Sequence, residues 1–174
     1  MTTLFLIGPR GAGKTAAGAA TARRLGVPFV DVDALVETRA GRTIAEIFAD
    51  DGEPAFRALE RREILRLLDE AAEPRVVATG GGCVLDAEVR ARLGRHREVA
   101  WLQAAVEILQ RRIRGSSRPS LTGDDPAAEL PGVVRRREPL YRAAAAAGLT
   151  VDTGGRSVDE VADALVRHLR SQGV

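Results

Sequence analysis

Gly8-Pro9-Arg10-Gly11-Ala12-Gly13-Lys14-Thr15 is the stretch that decides the fold. It satisfies G-x-x-x-x-G-K-S/T in full, and its setting fits as well. The apolar run Thr3-Leu4-Phe5-Leu6-Ile7 precedes it and reads as a buried parallel strand. The alanine-rich segment Lys14 to Leu25 follows and reads as a helix, stopped by Gly26. Glycines let the backbone wrap closely around phosphate oxygens, and the helix turns its partly positive N-terminus to the same place. Lys14 reaches the outer phosphates as a point charge, and the Thr15 hydroxyl is a ligand for magnesium. Gly11, Ala12, Gly13, Lys14, Thr15 and Ala16 are therefore the candidate nucleotide-binding residues. The 26 basic residues of the chain include a single lysine, and it is Lys14. Arginine serves everywhere else, but a guanidinium does not replace the compact ammonium here.

Working outward, Phe29 to Asp33 reads as a second strand with acids at its carboxyl end. Val76-Val77-Ala78 reads as a third, Glu98 to Leu102 as a fourth and Leu149 to Val151 as a fifth. Helical segments fall between them. Ala34 to Arg39 is short. Thr43 opens the next, with Glu46 completing a capping box, and it runs to Gly52. Glu53 to Ala72 is long, with Phe56, Leu59, Ile64, Leu67 and Leu68 at helical spacing. Asp86 to Leu93, Ala104 to Ile113, Pro126 to Ala147 and Ser157 to Arg170 complete the set, with a break expected at Pro131-Gly132. Gly115 to Asp125 is polar and rich in Gly, Pro and Ser, so it reads as a loop. Alternating strands and helices predict an α/β sandwich with a largely parallel sheet, and one domain over residues 1–174.

Composition narrows the classes. The 174 residues are 45% hydrophobic and 29% charged, which suits one globular core rather than disorder. No apolar run approaches a membrane span, and the start lacks the basic region of a secretory signal. One cysteine, Cys83, excludes an internal disulfide framework and reads as a small buried residue. A cytoplasmic protein is expected, with no membrane partner. Net charge is only +2 and aromatic residues make up 3%, so no nucleic-acid partner is expected. A guanine-reading Asn-Lys-x-Asp is impossible, because the sole lysine sits in the glycine loop.

Five further segments carry chemistry. Asp31-x-Asp33 closes the second strand, where residues two apart face the same way and both carboxylates meet one crevice. Taken alone it is equally a solvated turn. In Phe56-Arg57-x-x-Glu60 the planar fork of Arg57 matches a carboxylate, and Glu60 lies one helical turn on. An exposed ion pair on an amphipathic helix has the same pattern. Thr79-Gly80-Gly81-Gly82 allows close backbone approach to a ligand, or makes a flexible turn. Arg118-Pro119-Ser120-Leu121 places an arginine on the polar loop, and Arg137-Glu138-Pro139-Leu140-Tyr141 another on a late helix.

Together these segments resemble those of the shikimate kinases, and the resemblance spans essentially the whole chain. It implies a nucleoside-monophosphate-kinase-like fold with a five-stranded parallel sheet of order 2-3-1-4-5. It also implies an acceptor-binding region at about 33–61 and a mobile lid at about 114–125. The implied reaction moves the γ-phosphate of ATP, with Mg2+, to the 3-hydroxyl of shikimate in a cytoplasmic monomer. The family's pattern gives Asp33 to the acceptor hydroxyl as orienter and base, Asp31 with Thr15 to magnesium, and Lys14 and Arg118 to the transferring phosphate. Arg57, Glu60, Gly80, Gly81, Gly82 and Arg137 would hold shikimate, with Phe48 and Phe56 as walls. Arg111 and Arg156 fall where the family flanks adenine, with neighbouring Arg112 one position away. Two departures stand out: Ser120 replaces a more typical leucine in the lid, and no acid follows the third strand. A kinase of gluconate or a nucleoside monophosphate shares loop, fold and lid, but no base pocket is legible. A nucleotide-binding scaffold without catalysis would not need the acids and arginines, all of which are intact.

Overall fold

Leu4–Ile7 forms β1, and all four of its side chains are buried. They alternate between two packing faces: Phe5 and Ile7 enter one hydrophobic cluster, Leu4 and Leu6 the other. A strand covered on both sides must be apolar at every position, so its sequence shows no alternation. The structure, a computed structural model, describes residues 3–70, 73–114 and 125–171. The expected lid, with Arg118 and Ser120, lies outside the described residues apart from its flanking positions 114 and 125.

The remaining strands are β2 (Phe29–Asp31), β3 (Val76–Ala78), β4 (Val99–Gln103) and β5 (Leu149–Asp152). All pairings are parallel, and the sheet order is β2-β3-β1-β4-β5, as the resemblance implied. The helices are α1 (Lys14–Leu25), α2 (Val32–Ala40), α3 (Ile44–Asp69), α4 (Ala87–Leu93), α5 (Val106–Ile113), α6 (Pro126–Ala144) and α7 (Val158–Ser171). One face of the sheet carries Val36, Ile47, Phe56, Ile64 and Tyr141 from α2, α3 and α6. The other carries Ala17 and Ala22 of α1 with Leu109 of α5 and Val161 and Leu165 of α7. The loops after β1, β2 and β3 all emerge at the carboxyl edge, where open α/β sheets bind ligands.

Three local departures have physical causes. The second strand ends at Asp31, not Asp33, because Asp31 caps α2 by accepting from the N–H groups of Asp33 and Ala34. Ile44–Asp69 is continuous except at Gly52, whose φ of 81° and ψ of 170° are non-helical, so the two expected helices meet at a kink. The break expected at Pro131-Gly132 does not occur. Pro131 cannot donate to the carbonyl of Ala127, one turn back. The Gln110 side chain donates to that carbonyl instead, at 2.7 Å. A non-local hydrogen bond thus replaces the missing helical one and ties α5 to α6.

No helix among the described residues is long and apolar enough to cross a membrane. Replacing Gln110 by Ala leaves a buried carbonyl unpaired and is expected to cost about 1–3 kcal/mol. Urea unfolding checks this as a lowered midpoint with an unchanged slope.

Candidate active site

Two clefts adjoin at the carboxyl edge of the sheet. The first is built on the glycine loop and is lined by Arg10, Gly11, Gly13, Lys14, Thr15, Ala16, Asp31, Asp33, Thr79, Arg112 and Ile113. Gly8 must be glycine: its φ is +139°, and a Cβ there would sit 2.1 Å from the carbonyl oxygen of Leu102. Gly13 enters α1 with no side-chain cap, so the first-turn N–H groups meet whatever the cleft holds. Ala12 is buried in the core, and its N–H closes the loop onto Pro9 O at 3.2 Å. Lys14 Nζ donates to Gly8 O at 2.8 Å and Pro9 O at 3.0 Å, which holds the ammonium against the loop. Thr15 Oγ1 donates to Asp31 Oδ2 at 2.8 Å.

The acids of Asp31-x-Asp33 are therefore placed differently from the expectation. They do not share one strand face. Asp31 is a helix cap turned to Thr15, whereas Asp33 lies in the first turn of α2 and is 5% exposed. Both still reach the first cleft.

On the side expected to meet adenine, Arg112 lines the cleft, with Nη1 donating to Gly11 O at 3.2 Å and to Thr153 Oγ1 at 3.0 Å, and Nη2 to Thr153 O at 2.8 Å, while its neighbour Arg111 is exposed on α5. The spacing held the signal: Leu109 and Ile113 are the buried face of α5, and Arg112 sits three residues from Leu109 while Arg111 sits two. Arg156 is exposed and lines a groove with residues of β5 and α7.

The second cleft is lined by Asp33, Arg57, Glu60, Gly80, Gly81, Gly82 and Arg137, the residues expected to hold an acceptor, together with apolar walls that include Ile44, Phe48, Phe56 and Leu130. Asp33 and Arg10 line both clefts. Phe48 and Phe56 pack with ring centroids 5.2 Å apart. Arg57 and Arg137 reach this one cavity from α3 and α6. Arg137 Nη1 donates to Gly81 O at 3.1 Å, and the Tyr141 hydroxyl donates to the same oxygen. Tyr141 in turn stacks on Trp101 of β4, with centroids 5.9 Å apart. The glycine turn is thus pinned from α6, a role for Tyr141 that no local pattern announces. Arg10, at a variable position of the glycine loop, was also missed.

Electrostatics set the acceptor wall. Glu60 is 2% exposed, and burial pushes its carboxyl pKa up; the guanidinium of Arg57 opposes that shift and neighbouring Asp33 adds to it. Burial works against the charge of Arg57, but Glu60 and Glu53 outweigh it and raise its pKa. Glu60 Oε1 is buried and accepts no hydrogen bond from the protein. Cys83, behind the turn, is buried and its thiol is pushed up to about 12 by that burial, so it is no nucleophile.

The sequence model of the shikimate kinase family matches residues 10–170. The chain is 45% identical over 169 residues to a shikimate kinase of Caulobacter vibrioides, covering 97% of this chain and 82% of that protein. It is 43% identical over 169 residues to one of Thermobifida fusca, covering 97% and 95%. The solved shikimate kinase of Acinetobacter baumannii in complex with shikimate is similar with a TM-score of 0.89 and 33% identity, over 99% of this chain and 94% of that one.

A Cβ on Gly80 would lie 2.0 Å from Glu60 Oε1 and 2.9 Å from Asp33 Oδ1, and one on Gly82 would lie 2.2 Å from Arg57 Nη1. Gly80→Ala is therefore expected to lower phosphoryl transfer by about 100-fold, the scale of an ångström-sized misplacement. ADP affinity, measured by calorimetric titration, should stay within about threefold, because the added Cβ presses on Glu60 and Asp33 and on no residue of the glycine loop.

Proposed function

This chain belongs to the shikimate kinase family, and from that premise we propose how its own residues divide the work. It transfers the γ-phosphate of ATP to the 3-hydroxyl of shikimate, giving shikimate 3-phosphate and ADP on the route to chorismate and the aromatic amino acids. The observation that carries the division of labour is that Asp33 lines both clefts. A carboxylate at that junction faces the nucleotide's outer phosphate on one side and the acceptor's alcohol on the other.

In this reading the loop N–H groups and the first turn of α1 hold the phosphates, and Lys14 turns from the carbonyls of Gly8 and Pro9 to the γ-phosphate. Asp33 aligns the 3-hydroxyl and accepts its proton as the oxygen bonds to phosphorus and the bond to the ADP oxygen breaks. Phosphoryl transfer has a loose transition state, so the carboxylate contributes mainly by orientation. Arg57 and Arg137 grip the shikimate carboxylate, and Glu60 with Gly80 to Gly82 meets the ring hydroxyls. Arg118, in the segment expected as a lid, would neutralise developing charge and exclude water. The Arg112 guanidinium lies beside the base, for which a flat cation is well suited.

Magnesium fits the first cleft. Thr15 Oγ1 and Asp31 Oδ2 are adjacent oxygens there, 2.8 Å apart. No cluster of three or more His, Cys, Asp or Glu side chains suited to a metal exists among the described residues. These two residues would thus hold the ion with phosphate oxygens and water, as is usual for Mg2+. Bound there, the ion neutralises charge on the outer phosphates. A cytoplasmic monomer belongs to the same reading, and sedimentation should return a mass near the 18.5 kDa of one chain.

A coupled assay should register ADP release that depends on shikimate. Asp33→Asn is expected to lower kcat by about 10²–10⁴-fold while ADP binds as before. A loss of nucleotide affinity as large as the loss of rate would overturn the assignment of Asp33 to the acceptor.

A further inference from the structure

Arg57 is held from three directions. Nε and Nη2 both donate to Glu53 Oε1, at 3.0 and 2.9 Å, and Nη1 donates to Glu60 Oε2 at 2.8 Å. Its guanidinium carbon lies 5.2 Å from the centre of the Phe56 ring. Glu60 and Phe56 line the acceptor cleft; Glu53 does not. Its carboxylate stands behind Arg57, and we propose that Glu53 is a positioning residue that fixes which edge of the Arg57 fork meets the acceptor's carboxylate. The inference rests on the reading of Arg57 as a carboxylate anchor.

The donor count supports it. A guanidinium has five N–H groups. Glu53 takes the two on the Nε side, and Glu60 takes one on Nη1. One N–H remains on each terminal nitrogen, the number a carboxylate needs for two parallel bonds. Without Glu53 the side-on edge of the fork also becomes open to the ligand, and the group can pivot about its bond to Glu60. The two N–H groups that meet the acceptor's carboxylate would then be aligned only part of the time, so the acid is held more weakly in the ground state and the transition state alike.

The chain is built to put the carboxylate there. Gly52 breaks helical geometry with a positive φ, and the helix restarts at Glu53-Pro54. Proline is tolerated in a first turn, where its missing N–H is not needed, and an acid there is favoured by the helix dipole. Restarting at this point sets Glu53 four residues before Arg57, on the same face. An ordinary exposed pair of this spacing contributes little. This one differs because the Arg57 side chain is 23% exposed and its far side is fixed by a Glu60 side chain that is 2% exposed.

The test is steady-state kinetics on the full chain with Glu53→Gln, which keeps size and removes charge. The KM for shikimate should rise about tenfold, the scale of one charge-assisted hydrogen bond. The kcat and the KM for ATP should stay within about twofold, a split that general loosening of the fold would not give. The inhibition constant of shikimate carboxamide, which lacks the acid, should change far less than the KM for shikimate. An unchanged KM for shikimate overturns the proposal. So does a lower one, which would make Glu53 a competitor of the acceptor. Equal effects on acid and amide would also overturn it. Arg57→Lys is measured alongside. If it leaves the KM for shikimate unchanged, the anchor reading itself fails; if it raises that KM and Glu53→Gln does not, only the role of Glu53 falls.

Discussion

Two carboxylates, Asp33 and Glu60, are buried beside the same glycine, and keeping them charged there is the constraint around which the acceptor side is organised. Removing carboxylates from water is costly unless they are paired and hydrogen-bonded, and placing two together adds repulsion. Glu60 is answered directly by Arg57. Its other oxygen accepts nothing from the protein and so is available to a donor in the cleft. A polyhydroxylated ligand supplies such donors, and its acid offsets the arginines. The cleft therefore carries both cationic forks and an oxygen open to a donor, which is a basis for selecting both the hydroxyls and the acid of one small molecule.

Support for this wall comes from elements far apart in sequence. The kinked α3 contributes Arg57 and Glu60, the turn after β3 contributes the glycines, and α6 contributes Arg137 and Tyr141 to the carbonyl of Gly81. Because α6 is continuous through Pro131, the N-terminal end that lines the cleft with Leu130 and the later turns that carry Arg137 belong to one unbroken helix. The bond from Gln110 to the Ala127 carbonyl makes that continuity possible. Shape at the acceptor is thereby tied to α5, whose Arg112 faces the nucleotide cleft.

The glycine loop, the sheet and most helices were legible because each depends on local pattern: continuous apolar strands, a phosphate motif, capping residues. What sequence reasoning misplaced depended on competition or distance. Asp31 was read as strand, but its preference for capping ended β2 and turned Asp33 into a helical residue. Pro131 signalled a break, and the group that cancels it lies 21 positions away at Gln110. Arg111 and Arg112 differ by about 100° around α5, so adjacency in sequence does not say which of them lines the first cleft. Glu53 was invisible because an acid four residues from an arginine occurs on many helices and means something only once Arg57 is known to face a cavity.

The solitary lysine has a practical side. Reagents that acylate amines find one side-chain target in the entire sequence, and it sits against the loop that cradles phosphate. Attaching a dye or a resin through lysine therefore strikes the glycine loop. Immobilisation through carboxylates or an added tag leaves that loop intact.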